Sequence, residues 1–289
     1  MKKKLYKVAK DTNLFLKKYL KLQKKTDLLK AIKYGLLPGG KKIRSKILID
    51  VGKIFNINYN ILIQLGAAVE CIHAYSLIHD DLPCMDDDDL RRGKLSTHKK
   101  YGESTAVLAG NSLLTLAFEI LSNKNLKISD NKKVLLIKYI SNSSGHEGVA
   151  GGQYSDLNFE NKKISFNKIK NMQIKKTGKL FSFCCVAPLI ITNKYKKINK
   201  FKKIGENIGL LFQIADDLID YSGSSKLAGK KTRKDEAKGK ATLISLLGYK
   251  NTVKYSKKLK LTIFNEINKY QKRSSDLKET IEFILKRTK

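Results

Sequence analysis

Six aspartates fall within ten residues of this chain. They are Asp80, Asp81, Asp86, Asp87, Asp88 and Asp89, in the stretch IHDDLPCMDDDDLRRG that runs from Ile78 to Gly93. With 26 acidic residues in 289, ten residues should carry about one. So dense a cluster repels itself unless something positive sits in it. Hard divalent cations prefer oxygen ligands, and Mg²⁺ takes one or two carboxylates and completes its shell with water and substrate phosphate. Arg91 and Arg92 follow at once, with planar forks suited to phosphate oxygens. Acid then base reads as metal plus phosphate. The alternative is a solvated acidic loop or a Ca²⁺ loop, although the spacing is not that of a D-x-[DN]-x-[DN]-G loop.

A second cluster, Asp216, Asp217 and Asp220, lies far down the chain in FQIADDLIDYSG. This stretch reads as an apolar helix, and Asp216 and Asp220, four apart, share one of its faces. Buried carboxylates need partners. Two acid clusters facing one cavity could hold several Mg²⁺ ions on one diphosphate.

Nearly every segment has helical periodicity, as in Leu14–Leu22, Ile61–Ile78, Thr105–Leu121, Val134–Ile140, Ile169–Ile191, Ile204–Ile219 and Thr262–Leu285. Alternating strand patterns are scarce. Breaks are expected at Pro38-Gly39-Gly40, Ser143–Gly145, Asn158–Lys163 and Ser222–Lys240. The expected architecture is all-α: one domain over residues 1–289, a large helical bundle around a central cavity. Only three prolines and no Gly/Ser/Pro-rich linker argue against a second domain. No apolar run is expected to reach the ~18–20 residues of a membrane helix. The lysine-rich N-terminus lacks the apolar core of a signal peptide. Cys71, Cys84, Cys184 and Cys185 have no C-x-x-C spacing, which argues against zinc and a disulfide framework and suits a reducing cytoplasm.

The formal charge is +33. Such a balance suggests nucleic acid, but the lysines are spread over nearly every segment, are not interleaved with aromatics, and accompany no tryptophan. The charge therefore reads as compositional, with no nucleic-acid role, and would still draw in anionic substrates. Basic spots also lie at helix ends, where the backbone favours anions. Gly39-Gly40-Lys41-Lys42-Ile43-Arg44 opens a helix, with Lys41 and Arg44 three apart on one face. Lys176-Thr177-Gly178 interrupts a long helix, and Lys230 and Lys240 lie just after the second acid cluster.

At these residues the chain closely resembles the trans-prenyl diphosphate synthase family, most specifically its bacterial farnesyl diphosphate synthases. The resemblance runs from Tyr34-Gly35 and Gly39 to Arg44, through Val69-Glu70-Cys71-Ile72-His73-Ala74-Tyr75-Ser76, to the first aspartate motif with its arginine pair. It continues with Ala109-Gly110-Asn111, Gly151-Gly152-Gln153, Lys176-Thr177-Gly178, Phe212-Gln213, the second aspartate motif and Gly239-Lys240-Ala241-Thr242. Roughly residues 34–250 are covered.

The resemblance implies that an allylic diphosphate is ionised with about three Mg²⁺ ions held by Asp80, Asp81, Asp86, Asp216 and Asp220. Asp217 supports the metal site and, with Asp220 and Lys240, binds substrate, and Arg91, Lys176 and Lys230 take charge on the departing diphosphate. Isopentenyl diphosphate is expected on Gly40, Lys41, Arg44, His73 and Arg92; its double bond attacks the cation, and a proton is lost to the released diphosphate. Thr177 and Gln213 are expected to place oxygens near the cation. Tyr75, five residues before Asp80, is the expected floor of the product tunnel and implies a fifteen-carbon product, farnesyl diphosphate. Related synthases that make the twenty-carbon product tend to carry a smaller or more flexible residue there. The family also implies a homodimer without stable membrane association. Departures are Ser45 and Leu95 where the family usually has proline, Asn111 where aspartate is common, and Lys42 in place of arginine. A non-catalytic regulatory subunit would be expected to lack an aspartate motif, and terpene cyclases share the cation chemistry but usually do not combine both motifs in this form with the Lys-Arg diphosphate site.

Overall fold

The computed structural model describes residues 1–37, 39–222 and 239–286. Among them are thirteen α-helices and one two-stranded hairpin, so the all-α reading of the periodicity holds. The chain divides into two compact units, Met1–Lys138 with Ile190–Thr192, and Tyr139–Leu189 with Asn193–Lys289.

The first unit contains α1 (Lys2–Lys21), α2 (Asp27–Leu36), α3 (Ile43–Ile54), α4 (Tyr59–Asp80), α5 (Thr97–Tyr101), α6 (Glu103–Ser122) and the start of α7 (Asp130–Ser144). Short polar side chains start two of these helices by satisfying N–H groups that helix geometry leaves open. Thr26 Oγ1 accepts the Leu29 N–H at 3.1 Å, and Asn58 Oδ1 accepts that of Asn60 at 2.9 Å. Helix α4 is the post of the unit, packed by α1, α2, α3 and α6. Leu62, Leu65, Val69 and Ile72 on it are fully buried. Its end, which carries Asp80, is therefore held from several sides.

Between α4 and α5, β1 (Leu90–Arg91) pairs antiparallel with β2 (Lys94–Leu95), Leu90 opposite Leu95 and Arg91 opposite Lys94. The two turn residues, Arg92 and Gly93, both have left-handed φ, 55° and 74°. Two left-handed residues in a two-residue loop make the turn whose twist matches paired strands. One expectation is corrected here. Helices α4 and α6 are each long and apolar enough to cross a membrane. Of that window, 67% is buried in α4 and 44% in α6; on α6 the apolar Leu113, Leu116, Ile120 and Leu121 are buried, and most exposed positions are polar, among them Ser104, Asn111, Thr115 and Glu119.

The second unit contains the end of α7, then α8 (Val149–Asn158), α9 (Phe166–Gln173), a π turn (Ile174–Gly178), most of α10 (Lys179–Ile191), α11 (Ile198–Ser222), α12 (Leu243–Ile267) and α13 (Ser275–Lys286). The helix expected over Ile169–Ile191 is thus interrupted at the Lys-Thr-Gly triplet by an extra residue in one turn, a feature that clusters at functional sites. The turn is gripped on two sides. A side chain at Gly152 on α8 would collide with the Lys176 backbone, and one at Gly209 on α11 would lie 2.5 Å from Gly178 Cα. The helix expected over Thr262–Leu285 is also broken. A 3₁₀ stretch, Asn268–Ser274, holds Gln271 at φ 48°, and a left-handed residue cannot continue a right-handed helix.

Candidate active site

In the first unit, α4 ends at Asp80 and the chain doubles back. The Asp86 N–H donates to the Asp80 carbonyl at 2.8 Å, and the Asp88 N–H to that of Asp81 at 3.2 Å. The Leu82–Met85 turn thereby returns Asp86 to Asp80, and both carboxylates stay half-buried. Two hard oxygen donors beside each other suit Mg²⁺. Asp81, 2% exposed, is used differently: Arg91 Nε donates to its Oδ1 at 2.9 Å and Oδ2 at 3.2 Å, and Arg91 Nη2 also bonds Oδ1. Asp88 Oδ2 lies 3.6 Å from the same Nη2. Burial opposes the charge on Arg91, but the hydrogen bonds and charge of Asp81, with Asp88 and Asp80 beyond, outweigh it and raise its pKa.

Next to this pair is a cavity of about 210 Å³, bordered by Tyr34, Gly39, Asp81, Arg91 and Arg92 among others. Gly40, at φ +84°, permits a close approach: a Cβ there would lie 2.5 Å from Arg92 Nη1. The expected phosphate loop and the expected phosphate arginine therefore meet. Beyond the loop, Arg44 Nη1 donates to His73 Nε2 at 3.2 Å. Arginine has no acceptor, so that nitrogen carries the lone pair and the proton sits on Nδ1. Burial first, then the charges of Arg44, Arg92, Lys42 and Arg91, push the His73 pKa well below its usual range. The imidazole is neutral at neutral pH. Lys41 is exposed.

Tyr75 lies one turn before His79, and the two rings meet edge to face with centroids 4.9 Å apart. His79 Nε2 lies 3.1 Å from the Val107 carbonyl on α6, which can only accept, so this nitrogen carries a proton. Gly110 on α6 has no room for a Cβ because the His79 ring fills it.

In the second unit, Lys176 Nζ donates to Asp156 Oδ2 at 2.6 Å, and Lys240 Nζ is 3.6 Å from the same oxygen. Thr177 Oγ1 donates to Gln213 Oε1 at 3.2 Å. Gln213 Nε2 donates to Asp217 Oδ1 at 2.8 Å, and Gln173 Nε2 to Asp217 Oδ2 at 3.2 Å. Asp217, 2% exposed, is the anchor of this chain of bonds, whereas Asp216 and Asp220 on α11 remain half-buried. Asp156, Lys176, Thr177, Gln213, Asp217 and Lys240 border a cavity of about 70 Å³. Lys230 lies outside the described residues.

Sequence reasoning missed Asp156 and Gln173. Asp156 follows the Gly151-Gly152-Gln153 motif by three residues on α8, so an acid close behind that motif was the available signal. Gln173 carried none, since its partner Asp217 is 44 residues away.

The model of the family described as Polyprenyl synthetase matches residues 25–284. The farnesyl diphosphate synthase of Bacillus subtilis (strain 168) is 41% identical over 229 residues, covering 78% of this chain and 77% of that protein. The geranylgeranyl pyrophosphate synthase 4 of Arabidopsis thaliana is 39% identical over 235 residues, 80% of this chain and 63% of that protein. Among solved structures, the geranyltransferase of Helicobacter pylori complexed with magnesium and isoprenyl diphosphate superposes with a TM-score of 0.83 at 30% identity, covering 97% of this chain and 95% of that one.

Proposed function

This chain belongs to the polyprenyl synthetase family and is a trans-prenyltransferase, and within that family we propose that it makes farnesyl diphosphate from isopentenyl diphosphate and dimethylallyl diphosphate by way of geranyl diphosphate. The whole chain, residues 1–289, is read as one synthase domain. The observation that carries the product assignment is Tyr75, a large ring held against His79 one turn below Asp80. A tail growing down α4 from the acidic end of the helix meets that ring early.

The donor set fits magnesium. Asp80 and Asp86 in one motif and Asp216 and Asp220 in the other are the proposed ligands of about three ions with substrate bound, and Asp81 supports them through Arg91. When bound, Mg²⁺ neutralises diphosphate charge and so eases departure of the leaving group. Arg91 and Lys176, with Lys230 beyond the described residues, hold the charge that develops on the departing diphosphate. Asp156 orients Lys176 through their ion pair, and Lys240 lies beside it. Asp217 fixes Gln213, and Gln213 fixes Thr177, so the oxygens of both can face an allylic cation at no cost in reorganisation. Gly40, Lys41, Arg44, Arg92 and neutral His73 take the isopentenyl diphosphate, whose double bond attacks the cation; the proton then lost passes to the released diphosphate.

Val107 and Leu108, exposed on α6, are apolar positions that pairing of two copies would cover. The protein is read as a cytoplasmic homodimer without stable membrane association and without a nucleic-acid role. A twenty-carbon product is the second reading, favoured by the similarity to the Arabidopsis geranylgeranyl pyrophosphate synthase. Incubation of the purified protein with labelled isopentenyl and dimethylallyl diphosphates and Mg²⁺, followed by product chromatography, tests both. Farnesyl diphosphate as the main product is expected; a twenty-carbon product supports the second reading, and no condensation removes both.

A further inference from the structure

We propose that Glu70 is a positioning residue for the isopentenyl side of the reaction, locking the Gly39–Lys42 loop and the start of α3 in the shape that presents Lys41 and Arg44. This rests on the substrate assignment made above. Glu70 sits in the middle of α4 and is 3% exposed, so its carboxylate must be paired. Its Oε1 accepts the backbone N–H of Ser45 at 3.2 Å. Ser45 is the third residue of α3, and that N–H is one of those a helix start leaves without an intrahelical acceptor. The carboxylate satisfies it and complements the positive end of the helix dipole. The Ser45 hydroxyl lies 3.0 Å from the same oxygen and 3.1 Å from the Gly66 carbonyl, with one proton to serve them.

The other carboxylate oxygen, Oε2, faces Lys42 Nζ at 3.6 Å, and both side chains are almost wholly buried. Lys42 is the N-cap of α3 and has a left-handed backbone, φ 47°. Its ammonium also donates to the Leu36 carbonyl at the end of α2, at 3.1 Å. Glu70 therefore ties together the last turn of α2, the strained residue of the loop and the first turn of α3. His73, three residues on along the same face of α4, accepts from Arg44. The grip of α4 on the start of α3 thus has two consecutive points. The first, Glu70, sets where the second, Arg44, can stand. A carboxylate would repel a diphosphate, so Glu70 acts through Lys42 and Ser45 rather than on substrate.

The departures from the family pattern belong to this lock. A proline at position 45 would have no N–H to donate, and Ser45 supplies both an N–H and a hydroxyl to Glu70. Lys42 puts a point charge rather than a fork on the carboxylate.

Glu70→Gln keeps the shape and removes the charge. It should raise the KM for isopentenyl diphosphate about tenfold, the effect of weakening one charge-assisted contact. The KM for the allylic diphosphate and kcat should stay within about twofold, a split that general loss of structure does not produce. An unchanged isopentenyl KM, or an equal rise in both KM values, overturns the lock. If circular dichroism shows that Glu70→Gln does not fold, Ser45→Ala carries the test. Its isopentenyl KM should rise by a smaller factor with the allylic KM unmoved, and wild-type values overturn the proposal. If the wild type condenses nothing, the substrate assignment has failed, and the lock is then tested by titrating inorganic pyrophosphate without metal. Glu70→Gln should bind it about tenfold more weakly, and equal binding overturns the lock.

Discussion

Arg91 holds Asp81 with two nitrogens of its guanidinium, Nε reaching both carboxylate oxygens at 2.9 and 3.2 Å and Nη2 bonding one of them. The second aspartate of the motif is thereby a partner of the arginine, while Asp80 and Asp86 keep their carboxylates half-buried. Lysine at position 91 would keep the charge and lose the fork. Arg91→Lys should lower kcat roughly ten- to a hundredfold, the rate equivalent of about 1.5–3 kcal/mol for a hydrogen bond to a charged group. Steady-state kinetics at saturating Mg²⁺ checks this, and a kcat equal to wild type would show the fork to be dispensable.

Asp80→Ala and Asp216→Ala each remove a proposed metal ligand used when the allylic diphosphate departs. Each should lower kcat on the order of 10³-fold or more and weaken Mg²⁺ binding measured calorimetrically with a substrate analogue present. Near-normal turnover of either variant rules out its aspartate as a ligand.

Tyr75→Ala removes the ring that rests on His79. Products should lengthen from fifteen carbons to twenty or more, read by chromatography of the hydrolysed products. An unchanged distribution means that Tyr75 is not the floor.

His73 gives stability a defined pH dependence. Its pKa lies well below the usual value in the folded chain, through burial and then the cations Arg44, Arg92, Lys42 and Arg91, and is about 6.5 when unfolded. Below about pH 6.5 the unfolded chain binds a proton that the folded chain refuses, so stability falls as pH drops through that value. At higher pH both states are neutral and this contribution is flat. His73→Gln should make the melting temperature less sensitive to pH between about 5 and 6.5. Equal sensitivity in both proteins would mean that His73 titrates in the fold as it does in water.

The legible part of the site was the part written in short spacings. Asp80 and Asp86 stand out by density, and Asp216 and Asp220 by sharing a helix face. Lys176-Thr177-Gly178 was marked as an interruption, and the structure makes it a π turn. The turn became a turn because Gly152 and Gly209, on other helices, leave space for it, and no spacing within the triplet encodes that. The break near Gln271 had no Gly or Pro to announce it, so the apolar pattern ran through Thr262–Leu285 unbroken.

Alone, the sequence determined that the chain is helical, where its acids and bases concentrate and which family they resemble, because helix period and charge density are local properties. Only the tertiary structure decided which acid answers which base. Asp81 goes to Arg91, Asp156 to Lys176, and Glu70 to Lys42 and the N–H of Ser45. These pairings span ten to 28 positions and join different elements, so helix packing selects them. Once such groups are out of water, each buried charge must take whichever partner the packing has put within reach.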